Sequence, residues 1–199
     1  MNYKPILIII GGPNGSGKTS LTGKILKHEW LADCTYINPD IIAQEKFGDW
    51  NSPEAVINAA NYAHKLRYEL LEQRKSMIFE TVFSSQEKYD FVMKAIMEDY
   101  FVRLFFVSTN SPIINSTRIA KRVLEGGHDV PITKIISRYS KSIVNCASIA
   151  KEVDRLYVYD NSIDNEDPVL LFRLTKGKLE KKYKEINEWA QVIFNNSKS

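Results

Sequence analysis

The run ILIIIGGPNGSGKTS, Ile6 to Ser20, constrains this chain more than any other stretch. Five apolar residues of strand length lead into Gly12-Pro13-Asn14-Gly15-Ser16-Gly17-Lys18-Thr19, which matches G-x-x-x-x-G-K-[ST] at every fixed position, and a helical pattern follows. Glycines let backbone N–H groups turn inward around a phosphate, and the N-terminus of the helix adds a favourable dipole. In this geometry Lys18 reaches the β- and γ-phosphates and the Thr19 hydroxyl serves Mg²⁺. A chance glycine-rich turn would need neither the strand before it nor the helix after it. Gly12 through Ser20 are therefore expected to bind ATP with Mg²⁺.

The rest of the chain repeats that alternation. Apolar runs at 6–10, 34–38, 76–80, 102–108, 155–160 and 169–174 have strand length, and the first five are apolar nearly throughout, as strands buried on both faces of a parallel sheet are. Helical patterns fill 18–31, 40–47, 53–74, 86–98, 112–124 and 131–150; in the third, Val56, Ala59, Ala60, Ala63, Leu66 and Leu70 recur at helical spacing. The expected fold is α/β, a P-loop NTPase with a mostly parallel sheet of five to six strands and helices on both faces. At 199 residues the chain is expected to form a single domain. In 178–194, Leu179, Tyr183, Ile186, Ala190 and Ile193 fall on one helical stripe, which predicts a docking helix with lysines on its solvated face.

Composition narrows the function classes. A net charge of +3 suits an anionic substrate but is too mild for the basic stripe of a nucleic-acid binder. Cys34 and Cys146 lie far apart with no metal-ligand spacing, which predicts free thiols in a reducing compartment. The N-terminal apolar run is too short for a signal peptide and no stretch approaches transmembrane length, so a cytoplasmic protein without a membrane partner is expected.

Candidate chemistry lies after the strands. In TYINPD, Asp40 would stand at the carboxyl edge of the sheet, where it can orient a substrate hydroxyl and accept its proton; equally, Asn38 is a good helix cap and Asp40 a good first-turn residue. In SMIFET, Glu80 can hold Mg²⁺ and Thr81 can line an acceptor site, or both can close the strand. In STRIAKRVLEGGHDVP, Arg118 and Arg122 share a helical face, Arg138 follows on the next helix, and Gly126 and Gly127 can hinge the region 112–140 as a lid. Cations closing over a γ-phosphoryl group stabilise its transfer. Either arginine of the first helix can take that role, and His128 can shape the loop or touch substrate.

LEGGH also resembles the LSGGQ signature of ABC-type ATPases. Such an enzyme needs a glutamate after the apolar run LYVYD, and Asn161 stands there instead. An amide cannot act as a general base.

GPNGSGKTS, then NPD, ET after a buried strand, RV-x-x-GGHDVP with RY, and YDNS occur in that order. This series resembles the zeta toxin family of P-loop kinases over roughly residues 5–165. The resemblance implies a nucleotide-kinase sheet and transfer of the ATP γ-phosphate to a hydroxyl of a UDP-activated amino sugar, best known as UDP-N-acetylglucosamine. It implies Asp40 as catalytic base, Lys18 on phosphate, Thr19 and Glu80 serving Mg²⁺ and the acceptor, and Arg122 with Arg138 as the charge-stabilising pair. Asp160 and Asn161 would lie near adenine. Toxicity and an antitoxin protein as partner are further family properties. The alternatives are an ABC-like ATPase and, less in keeping with the charge, a nucleic-acid end kinase.

Overall fold

Ile6–Gly11 forms β1, and its side chains alternate between two hydrophobic layers. Leu7 and Ile9 enter one, Ile8 and Ile10 the other, and all four are fully buried. A strand covered on both faces has no polar positions to alternate, which is why its sequence reads as an unbroken apolar run. The structure is a computed structural model and describes residues 4–26, 31, 33–48, 52–127 and 129–196. After β1 come α1 (Lys18–Ile25), β2 (Thr35–Ile37), α2 (Pro39–Phe47), α3 (Pro53–Glu72), β3 (Met77–Thr81), α4 (Gln86–Met97) and β4 (Phe101–Ser108). Then follow α5 (Pro112–Leu124), α6 (Ile132–Ile149), β5 (Arg155–Asp160), β6 (Val169–Thr175), β7 (Lys178–Lys182) and α7 (Glu188–Asn196).

The strands make one seven-stranded sheet in the order β2-β3-β1-β4-β5-β6-β7. Every pairing from β2 to β5 is parallel, and β6 and β7 add on antiparallel. The chain leaves β1 toward β2 on one side and reaches β4 on the other, so the winding reverses at β1. In α/β sheets a ligand crevice opens at the carboxyl edge beside such a reversal. The P-loop, the ends of β2 and β3, and the loop after β5 all emerge at that edge.

Helices cover both faces. Ala59 and Ala63 of α3, Phe91 of α4, Cys146 of α6 and Ala190 of α7 pack on the Leu7–Ile9 side. Leu21 and Ile25 of α1 pack on the Ile8–Ile10 side. A third, small cluster of Ile119, Val130 and Ile135 joins α5 to the start of α6. Tyr139, Ile143 and Cys146, further along α6, are buried in the main layer instead. The α5–α6 corner thus has a three-residue core of its own, and segments with few buried apolar contacts are the first to open. Cys34 and Cys146 are both free thiols. No helix among the described residues is long and apolar enough to cross a membrane.

Three helix starts are legible as a cap residue followed by proline. Asn38, Ser52 and Ser111 each accept a backbone N–H of the first turn, and Pro39, Pro53 and Pro112 follow them.

The segment 178–194 departs from the single helix its stripe predicts. It divides into strand β7 and helix α7. Lys176 and Gly177 both have positive φ, 46° and 71°, and Thr175 pairs with Lys178, so a two-residue turn sends the chain back along β6. That turn chemistry overrides the helical spacing. All of β7 is exposed, and its three lysines suit a free sheet edge that must not pair with another chain. With β7 the sheet has seven strands rather than the five to six expected.

Candidate active site

The phosphate loop is shaped from outside its own motif. Gly15 has φ 74°, and a Cβ there would lie 2.6 Å from the Asn115 carbonyl oxygen; a Cβ on Gly17, φ 90°, would run into Asn161 Nδ2. Glycine is needed at both positions, for the left-handed backbone and for the close approach. The approaching groups are two buried asparagines. Asn115 of α5 donates from Nδ2 to the Asn14 carbonyl at 2.7 Å, and Asn161 donates from Nδ2 to the Ser16 carbonyl at 2.9 Å. Asn161, expected near adenine, clasps the loop and also lines the cavity beside it. Asn115 carries no motif, and nothing in the sequence points to it.

Lys18 folds over the loop. Its Nζ donates to the carbonyls of Gly12 and Pro13, both at 2.9 Å. Burial of the ammonium lowers its pKa to about 8; Glu80 and Asp40 pull the other way, and Arg122 and Arg138 push it further down. Those four charges are the candidate catalytic side chains, brought from β3, α2, α5 and α6 into electrostatic reach of one amine.

Glu80 ends β3 beside the P-loop strand, in register with Ile10. It accepts from the Thr22 hydroxyl at 2.6 Å, from the Tyr36 hydroxyl at 2.8 Å and from the Thr19 hydroxyl at 3.4 Å. Thr19 and Glu80 thus present hard oxygen donors side by side. No group of three or more His, Cys, Asp or Glu that could hold a metal occurs among the described residues. The donor set fits Mg²⁺, which typically takes one or two protein oxygens and completes its shell with phosphate and water. Thr81 serves the backbone: its Oγ1 accepts the Phe83 N–H at 3.0 Å and closes the turn after the strand. Asn38 caps α2 through the Asp40 N–H at 2.9 Å, which leaves the exposed Asp40 side chain at the mouth of the crevice.

The two arginines of α5 separate clearly. Arg118 commits its guanidinium to the loop after β5, reaching Asp164 Oδ1 at 2.7 Å and the carbonyls of Asn161 at 2.8 Å and Ile163 at 3.3 Å. Arg122, one turn on, is exposed and acts on Lys18. Arg138 of α6 lies 3.4 Å from Asn14 Oδ1, so Asn14 touches both helices of the corner. Gly126 and Gly127 end α5: the Gly127 N–H reaches the Arg122 carbonyl at 2.8 Å and the Gly126 N–H reaches the Val123 carbonyl at 3.0 Å, with Gly126 at φ 87°. That is a Schellman ending, which accounts for the glycine pair of LEGGH as a helix stop. His128 lies outside the described residues.

Beside the P-loop, a cavity of about 430 Å³ is lined by Gly17, Ser20, Arg118, Arg122, Asn161 and Asp164 among others. Asp160 does not line it. Its carboxylate turns to Ser162 and to Trp189 Nε1, at 3.0 Å, and so docks α7 against the end of β5.

Where an ABC-type hydrolase would carry a glutamate, Asn161 holds the P-loop, and the glycine pair stops a helix. A sheet that reverses at its phosphate loop, beside a helical corner that carries arginines, defines a P-loop fold of the α/β class. Residues 2–173 match the family described as Zeta toxin, and the chain belongs to that family. Among solved structures, the AvrRxo1-ORF1:AvrRxo1-ORF2 complex with ATP is similar at a TM-score of 0.69 and 15% identity, over 98% of this chain. This chain spans 64% of the length of the AvrRxo1 chain it matches. A structure of the PezAT chromosomal toxin–antitoxin system of Streptococcus pneumoniae matches at a TM-score of 0.61 and 15% identity, over 98% of this chain and 86% of that one. A putative kinase from Chloroflexus aurantiacus matches at 0.53 and 18% identity, over 69% and 80%. No curated protein matches the chain.

Proposed function

We propose that this protein transfers the γ-phosphate of ATP to a hydroxyl of a UDP-activated amino sugar, UDP-N-acetylglucosamine or a close relative. The observation that carries this reading is the convergence of Asp40, Glu80, Arg122 and Arg138 on Lys18. A nucleotide-binding module alone needs the lysine; it does not need a carboxylate at the end of another strand together with cations from a lid. ATP as donor is supported by the phosphate loop and by the nucleotide in the AvrRxo1 structure. The amino-sugar acceptor is supported by the family's motif series.

The acceptor oxygen attacks the γ-phosphorus, the bond to the β–γ bridging oxygen breaks, ADP leaves, and the acceptor proton passes to Asp40. Lys18 holds the phosphates, and Arg122 and Arg138 close on the transferring oxygens. Mg²⁺ at Thr19 and Glu80 neutralises phosphate charge when bound. The transition state is loose, so placement and charge matter more than the strength of the base. The free thiols suit the cytoplasm, and a partner of antitoxin type is in keeping with the family.

The test is mass spectrometry of UDP-N-acetylglucosamine and a panel of other nucleotide sugars incubated with Mg²⁺–ATP. The expected product is one sugar nucleotide heavier by a single phosphoryl group. Loss of ATP at one rate with and without every sugar would instead mark a hydrolase.

Binding itself should take up protons. Free Lys18 loses its charge as pH rises through about 8. Phosphate favours the charged amine, so above that pH ATP must bring a proton with it, and affinity falls as pH rises. Calorimetry of ATP binding at high pH, in two buffers of different ionisation enthalpy, should show uptake of about one proton per ATP, fading at neutral pH. Uptake independent of pH would exclude Lys18 as its source.

A further inference from the structure

Tyr36, Asn38 and Glu80 make more hydrogen bonds than capping a helix and closing a strand require. Glu80 Oε1 accepts from Tyr36 at 2.8 Å, the Tyr36 oxygen accepts from Asn38 Nδ2 at 2.9 Å, and Asn38 Oδ1 accepts the Asp40 N–H at 2.9 Å. The chemistry of each group sets the direction of the run. An ionised carboxylate only accepts, a phenol has one proton to give, and an amide nitrogen only donates. The Asn38 amide is therefore held at both ends, its nitrogen on Tyr36 and its oxygen on Asp40. The run starts at the α1 hydroxyls of Thr19 and Thr22, passes along the carboxyl ends of β3 and β2, and stops at the first turn of α2. One end is the nucleotide side of the site and the other is the acceptor side.

We propose that Tyr36 is a positioning residue that couples the two sides: through Asn38 it sets the place of Asp40 according to what Glu80 holds. The inference rests on the phosphotransferase reading above. Thr19 meets Glu80 at Oε2 while Tyr36 and Thr22 meet it at Oε1, so a cation or water taken up by Thr19 and Glu80 acts on Tyr36 through the carboxylate, by turning it or drawing charge away from Oε1. Tyr36 is the only described group that meets both Glu80 and Asn38. Burial raises the pKa of the phenol, which keeps it a neutral donor throughout the working pH range. The Tyr36 bond to the Glu80 carboxylate is charge-assisted, and such bonds are about twice as strong as neutral ones.

Two variants test this. Tyr36→Phe keeps the ring and removes the hydroxyl. Asn38→Ser keeps a good cap on α2 and removes the donor to Tyr36. Each should lower kcat about 10- to 100-fold while KM for ATP stays within about twofold, because each breaks the run between Glu80 and Asp40 and neither removes a phosphate contact. The double variant should lose no more than either alone. The second readout needs no turnover: the ultraviolet difference spectrum on adding Mg²⁺ with a non-hydrolysable ATP analogue should contain a tyrosine signal that Tyr36→Phe lacks. Identical spectra in wild type and Tyr36→Phe, or losses that add in the double variant, would overturn the coupling. If Asn38→Ser fails to fold, Tyr36→Phe and the spectra decide alone. A wild type that phosphorylates no sugar yet shows the Tyr36 signal would sink the acceptor assignment and leave the coupling standing. Full transfer in Tyr36→Phe would do the reverse.

Discussion

Lys18→Ala is expected to abolish phosphoryl transfer and leave the protein folded. The ammonium is the cation held at the bend of the phosphate loop, by the Gly12 and Pro13 carbonyls. Removing one preorganised donor from a reacting oxyanion costs about 10²–10³ in kcat, and a full charge on phosphate should cost at least the upper figure, about 10³ in kcat/KM. Stability should move the other way. An amine whose folded pKa lies below its unfolded value of 10.5 opposes folding at pH below about 8, and the penalty fades as pH rises from there toward 10.5. At neutral pH alanine removes that penalty, so the melting temperature of Lys18→Ala should equal or exceed that of wild type. A variant that loses activity because it unfolds would count against the assignment; so would one that keeps more than a tenth of wild-type turnover.

Asp40→Asn separates chemistry from nucleotide binding. The substitution keeps the shape of the side chain and the backbone N–H that Asn38 caps, so α2 should persist. A positioned general base contributes about 10²–10⁴ in rate, and the loose transition state of phosphoryl transfer favours the lower part of that range. Turnover should therefore fall about a hundredfold or more, with ATP affinity by calorimetry unchanged within about twofold. Turnover within twofold of wild type would return Asp40 to its helix-start role, where loss of a first-turn charge costs only about 0.3–1 kcal/mol.

Much of the fold is legible because it is written locally. An unbroken apolar run reports a strand buried on two faces, and β1 through β5 all fall within a residue or so of the runs that announce them. Cap-then-proline reports a helix start with equal economy, since the fixed φ of proline and the side-chain acceptor act within one turn. The seventh strand escapes for a related reason. Lys-Gly is a weaker turn signal than Asn-Gly, while the stripe from Leu179 to Ile193 mimics a helix, and pairing with β6 decides between them only in the sheet.

The site divides along the same line. Lys18, Thr19, Asp40 and Glu80 can be named as candidates from the sequence because each follows a strand or glycine loop, and Arg118 and Arg122 because they share a helical face. How Arg118 and Arg122 differ cannot be read there, because both lie on one helical face and only the fold brings the loop after β5 onto Arg118. Asp160 likewise reads as a nucleotide contact, and only the fold shows that Trp189, far along the chain, donates to its carboxylate. Asn115 and Tyr36 give no signal at all: an asparagine in a helix and a tyrosine in a strand are ordinary residues until folding brings Asn14 and Glu80 within hydrogen-bond distance. The sequence by itself determined the chemistry available, since backbone conformation and side-chain type are local properties. Only the tertiary structure decided which side chains meet, because a hydrogen bond between distant residues exists only once the chain has closed around it.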